Sequence, residues 1–250
     1  MHIILLSLVP CLLWLYFFWS RETSNRQQVR PLVRAFAYGA AASLAAGIVE
    51  YFVPGINRVG VWCYFFLLIA PLEELCKYLA TSWFISREPT FDKPSDGLIF
   101  AAAAALGFAF VENIQYFATE HASFGLMHSL IYRSLFSIPS HVLDTAPWGA
   151  ALGYARLLKG TPRLLVPAGL LLASFMHGLF DTIALINGEG RMNGWFAILA
   201  ITVLLMTQWE IFRYLRNRAV RDWRNIRPAA QPLTSSSNRS DVTDRNLTSD

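Results

Sequence analysis

Acids, imidazoles and one lysine interrupt stretches of this sequence that are otherwise apolar. Glu73, Glu74 and Lys77 fall in one such stretch, Glu112 and Asn113 in the next, His141 in a third, and His177 with Asp181 in a fourth. On a helix, i, i+3 and i, i+4 spacing brings Lys77 within reach of Glu74 and Glu73 and sets Asp181 on the same face as His177. Hydrolysis needs a base for water, donors for a developing oxyanion and an acid for the leaving group, and these residue types cover all three. Glu73 or Glu74 is the candidate base, and Lys77 is the cation that fixes charge on that pair. His177, oriented by Asp181, is a candidate acid or oxyanion donor, and Asn113 is a further donor. Glu112 and His141 either share a proton relay or complete a metal site. No HExxH is present, yet Glu73, Glu112, His141, His177 and Asp181 include enough ligands to hold Zn²⁺ with a position open to water, so a metal remains open at this point. A serine or cysteine nucleophile is less attractive, because none adjoins a histidine at a telling spacing, although Cys76 lies within the first cluster.

The elements that position these groups are membrane helices. The chain has 250 residues, 54% hydrophobic and 15% charged, and a mean hydropathy of +0.38, which is too apolar for an ordinary soluble domain. Its apolar stretches are long enough to cross roughly 30 Å of hydrocarbon, where only helices satisfy their own backbone. The expected fold is therefore all-α, a polytopic bundle of about seven transmembrane helices at 3–20, 35–53, 60–86, 97–118, 128–155, 164–187 and 193–213. An acid or lysine at the centre of such a helix costs about 2.5 to 3.5 kcal/mol, so Glu73, Glu74 and Lys77 need partners or water. Bland readings exist for each group: an ion pair that locks packing, a Glu112 with its charge among headgroups, a hydrogen-bonded core His141. Arg133 is expected to reach up to headgroups. Four consecutive spans nevertheless carry polar groups between the midplane and the outer third, which describes a hydrated pocket.

Fifteen Lys and Arg residues fall on alternate connections, from Arg21 to Arg34, at Arg87 and Lys93, from Arg156 to Arg163 and from Arg213 to Arg227, against Arg58 and Arg191 on the other side. This bias predicts an outside N-terminus and a cytoplasmic C-terminus, and it explains the +4 net charge without nucleic-acid binding. The first segment lacks the basic start and small-residue cleavage site of a signal peptide and is read as a span. Trp and Tyr near span ends, Trp14, Trp19, Trp148 and Trp209 among them, read as interfacial anchors. The small-residue runs from Ala40 to Gly47, Ala101 to Gly107 and Gly149 to Gly153 favour close helix approach. Cys11, Cys63 and Cys76 read as small core hydrophobes. The expected organisation is a bundle over 1–213 with its core at about 60–187, a basic helix on the inner leaflet at 214–227, and a disordered cytoplasmic tail at 228–250 with sequons at Asn238 and Asn246.

The order of motifs, EExxK at Glu73, Glu74 and Lys77, FxxxEN at Phe108, Glu112 and Asn113, and HxxxD at His177 and Asp181, resembles the PrsW family of bacterial intramembrane proteases. The resemblance covers about 60–187. It implies residence in a bacterial cell membrane and cleavage of a single-pass membrane protein, first-site cutting of an anti-sigma factor being the family's best-known role. It also implies kinship with CAAX prenyl endopeptidases, in which a related EExxxR motif supplies a water-activating Glu. Lys77 departs from that wider pattern in its spacing, and Glu112 stands where those enzymes have His. Two other classes fit the polar groups alone: a proton-coupled transporter or channel, and a non-catalytic membrane scaffold.

Overall fold

The computed structural model describes residues 2–21, 29–119 and 125–226. The tail at 228–250 with its two sequons, Arg26, Arg227 and the centre of the 119–127 connection lie outside the described residues. Among the described residues every regular element is helical. In chain order these are α1 (His2–Ser20), α2 (Val29–Glu50), the short α3 (Ile56–Val59) and α4 (Val61–Cys63), α5 (Ala70–Ile85), α6 (Pro94–Thr119), α7 (Leu126–Tyr132), α8 (Ile138–Asp144), α9 (Ala146–Leu157), α10 (Leu165–Gly188) and α11 (Gly194–Ile226). Five of them, α1, α2, α6, α10 and α11, are long and apolar enough to cross a membrane.

The third and fifth expected spans take a different form. Each is a helical run whose first half contains a π-helical stretch, Tyr64–Ile69 before α5 and Arg133–Ser137 before α8. The cause is the same in both. Pro71 and Pro139 stand in the first turns of α5 and α8, have no N–H to donate, and would press their rings against the carbonyl four residues back, which the widened π-turn accommodates. In each run the polar group of interest follows its proline by two residues, Glu73 after Pro71 and His141 after Pro139.

Helix α6 is the axis of the bundle and packs against α1, α2, α5, α8, α9 and α11. Its run from Leu98 to Leu106 is almost wholly buried. Glycines set how near its neighbours come. A Cβ on Gly107 would overlap the carbonyl oxygen of Phe36 on α2, and one on Gly39 of α2 would overlap that of Ala104. Gly97 and Gly153 make the equivalent close contact between α6 and α9. Helix α1 is a built-in member: Cys11 and Phe18 lie in the core with Leu106 and Phe212, and Trp14 donates its indole N–H to the Ser134 carbonyl at 2.8 Å.

The last helix shows no break at residue 213, where the sequence suggested that a span gives way to a separate basic helix. It runs for 33 residues to Ile226. Beyond residue 213 it still packs on the protein, with Ala219 buried and Asp222 accepting a 2.7 Å hydrogen bond from the Tyr154 hydroxyl of α9.

Candidate active site

Four elements, α5, α6, α8 and α10, bring the expected site residues to one place beside α6. Lys77 is its centre. Fully buried, its ammonium donates to Glu74 Oε1 at 2.8 Å, to Glu73 Oε2 at 3.5 Å and to His141 Nδ1 at 3.0 Å, and it lies 4.4 Å from the centre of the Phe108 ring. All three N–H groups of the lysine are thereby used. An ammonium can only donate, so Nδ1 of His141 is the lone-pair nitrogen and its proton sits on Nε2, which lies 2.6 Å from Glu112 Oε2.

The adjacent acids Glu73 and Glu74 have different surroundings. Glu74 is saturated: Oε1 accepts from Lys77 and, at 3.0 Å, from His177 Nδ1, while Oε2 accepts from the Trp148 indole at 2.8 Å. Glu73 has only the two longer approaches of its Oε2, 3.5 Å to Lys77 and 3.6 Å to His177 Nε2. Asp181 is at 3.4 Å, also on the Nε2 side of His177. The orienting role that the i, i+4 spacing suggested for Asp181 therefore falls, by geometry, to Glu74, which grips Nδ1 from another helix.

Two residues sit where sequence reasoning did not put them. Arg133, expected among headgroups, is buried, bonds to Glu112 Oε1 at 2.7 Å and donates from Nε to the Asn113 side-chain oxygen. The two acceptors of α6 offer a bidentate site that outcompetes a reach to the surface. Trp148, expected at an interface, is fully buried and hydrogen-bonded to Glu74. A buried indole needs an acceptor, and Glu74 needs a third donor. A further acid, Asp144, three residues beyond His141 on α8, is held by Ser140 at 2.9 Å and by the Gln208 amide. Glu50, the last residue of α2, was not singled out in the sequence, because an acid at a span end is ordinary; it lines a groove with Gln115 of α6.

The donors suit a divalent metal. Glu73, His141 and His177 each offer a ligand atom, these atoms lie within 4.8 Å of one another, and all three residues are buried. One carboxylate with two imidazoles is a known zinc-type set. Each imidazole has one nitrogen against a carboxylate, Glu74 for His177 and Glu112 for His141, which is the arrangement that orients metal-binding histidines; for His141 the ligand atom would be Nδ1, so a metal there would take the place of the Lys77 contact. Glu112 and Asp181, the other candidate ligands, lie outside that triad. Formally, Glu73, Glu74, Glu112 and Asp181 outnumber Lys77 and Arg133 by two charges.

Comparison with known proteins agrees with this chemistry. The family model described as PrsW family intramembrane metalloprotease matches residues 27–208. Protease PrsW of Geobacillus kaustophilus is 27% identical over 86% of this chain and 94% of its own length. Protease PrsW of Bacillus subtilis is 28% identical over 72% and 82%, and that of Clostridioides difficile 26% over 84% and 88%. No solved structure matches the chain. The matched residues take in the whole Lys77 cluster as well as α2, which carries Glu50, and the chain belongs to the PrsW family of intramembrane metalloproteases, multi-pass membrane hydrolases.

Proposed function

We propose that this protease cuts a single-pass membrane protein near the outer boundary of its membrane helix, with water activated at Glu73. The observation that carries this reading is the division of labour between the two neighbouring acids. Glu74 accepts three hydrogen bonds, with both oxygens engaged, and holds Lys77, His177 and Trp148 in place. Glu73 keeps an oxygen without a hydrogen bond and faces both His177 and the lysine that neutralises the pair.

The side chains divide as follows. Glu73 takes a proton from water or acts as a metal ligand. His177, its Nδ1–H fixed on Glu74, presents Nε2 to the reacting centre, where as an imidazolium it donates to the oxyanion or to the leaving nitrogen, or as a neutral ring it would instead hold the metal. Asp181, partly exposed and next to Nε2, relays protons to solvent. Asn113, whose side-chain oxygen is held by Arg133, keeps its amide N–H₂ to bind the substrate backbone. The metal of this family would be held by Glu73, His141 and His177, and it would supply Lewis-acid polarisation of the carbonyl and a water of lowered pKa.

Fifteen basic residues against two support a cytoplasmic C-terminus and put the Glu50 end of α2 outside. The carboxylates of Glu112 and Asp181 are 29% and 24% exposed whereas that of Glu74 is sealed, so water reaches the cluster from this outer end. A substrate helix frays most cheaply at its end, which places the cut there. A single-pass anti-sigma factor is the substrate class we infer from the family resemblance, and the inner-leaflet contact is assigned to the basic end of α11.

The test is purified protein in liposomes with a tagged single-pass substrate, with and without chelator, and mass spectrometry of the cut. Loss of cleavage in Glu73→Gln and a cut within a few residues of the outer boundary are expected. An ordinary rate from the Glu73→Gln, Glu74→Gln double variant would remove the mechanism, and a cut at the inner end would remove the topology.

A further inference from the structure

Where α2 and α6 reach the outer end of the bundle they bound a groove of about 770 Å³. Leu44, Ile48, Tyr51 and Phe52, all of them exposed, form its apolar walls, and Gly47 and Gln115 also line it. A single charged side chain, Glu50, lines it. Exposed apolar residues are ordinary on a helix that faces lipid, but a carboxylate among them is not, because charge in that setting is expensive without a partner. Glu50 has none: it makes no hydrogen bond or ion pair with any described residue. The groove lies along α6 from the active site, since Gln115 stands one turn beyond Glu112 on that helix.

We propose that this groove seats the outer flank of the membrane-spanning substrate and that Glu50 selects a Lys or Arg there. The proposal rests on the protease reading above and adds its specificity. The four apolar walls accept the last turn of a substrate helix, and the unpaired carboxylate accepts an ammonium or guanidinium just outside it. Basic residues are scarce on the outer flank of membrane helices, so a preference for one separates few substrates from many bystanders.

The test uses full-length protein in phosphatidylcholine vesicles with three synthetic single-pass peptides that differ only in bearing Lys, Gln or Glu at the outer flank. A photo-crosslinking residue replaces Phe52, in a Glu73→Gln background that keeps peptides intact. With Glu50 present, the Lys peptide is expected to cross-link about fivefold more than the Gln peptide. Glu50→Gln should erase that preference, and Glu50→Lys should transfer it to the Glu peptide, an inversion that a merely damaged fold does not produce. Equal cross-linking of the three peptides to protein that retains Glu50, or cross-links to lipid alone, would overturn the proposal. The two readings fail separately. Preferential cross-linking without cleavage by the Glu73 enzyme would remove the protease mechanism and leave the groove, whereas cleavage of all three peptides at equal rates would leave the protease and remove the groove's role.

Discussion

The indole of Trp148 donates to Oε2 of Glu74 across 2.8 Å, from α9 to α5, and both side chains are fully buried. This bond completes the set of donors that fixes Glu74, and through Glu74 it fixes the ring of His177. Trp148→Phe keeps most of the packing against Tyr78 and removes the donor. Thermal unfolding in detergent should show a loss of about 1 to 3 kcal/mol, the cost of a buried group left without its partner, together with slower cleavage. Unchanged stability would mean that Glu74 is satisfied in another way.

Glu73 and Glu74 should respond differently to the same change. Glu73→Gln is expected to lower turnover by about 10²- to 10⁴-fold while the melting temperature stays near that of the parent. Glu74→Gln should lower both, because the new amide sets a donor against the donors of Lys77, His177 and Trp148. Matching profiles for the two variants would end the division of roles.

Arg133 joins Glu112 and Asn113 through one planar fork. Lysine cannot make both contacts at once, so Arg133→Lys should slow cleavage roughly tenfold despite keeping its charge. A double-mutant cycle with Glu112→Gln should return a coupling of about 0.5 to 3 kcal/mol. Strict additivity would mean that the fork is not coupled to function.

Gly107 and Phe36 mark where α6 and α2 touch backbone to backbone. Gly107→Val should force the helices apart and cost about 1 to 3 kcal/mol in thermal unfolding, with reduced cleavage because Glu112 lies five residues further along α6. A variant as stable as the parent would show that the α2 contact is not tight in the membrane.

Much of this arrangement was legible in the sequence, and the rest was not for definite reasons. Contacts within one helix follow from spacing alone, so the approach of Lys77 to Glu73 and Glu74 could be read directly. The small-residue runs likewise pointed to close packing, and Gly39, Gly107 and Gly153 provide it. Partners between helices depend on rotation and neighbour order, which apolar blocks do not encode. Trp148 and Arg133 were therefore given the average behaviour of their residue types near a span end, and each instead found a carboxylate on another helix. The position of Glu74 between Lys77 and His177, which leaves Asp181 on the reacting side of the ring, depends on the same unseen rotation.

The π-stretches at Tyr64–Ile69 and Arg133–Ser137 carry a liability of their own. Each holds more residues per turn than an α-helix, so loss of a single one, Leu67 for instance, lets the turn relax to regular α-geometry. The wide turn spends its extra residue on about the same rotation, so the two sides keep nearly the same relative orientation, but the Pro71 ring is then pressed against the carbonyl four residues back. Glu73 would keep its face toward His177, and the strain of about 3 kcal/mol would fall two residues before it. A one-residue deletion among unremarkable apolar side chains can thus strain the turn that carries the acid while every site residue keeps its neighbours, and a screen of point substitutions alone would pass it by.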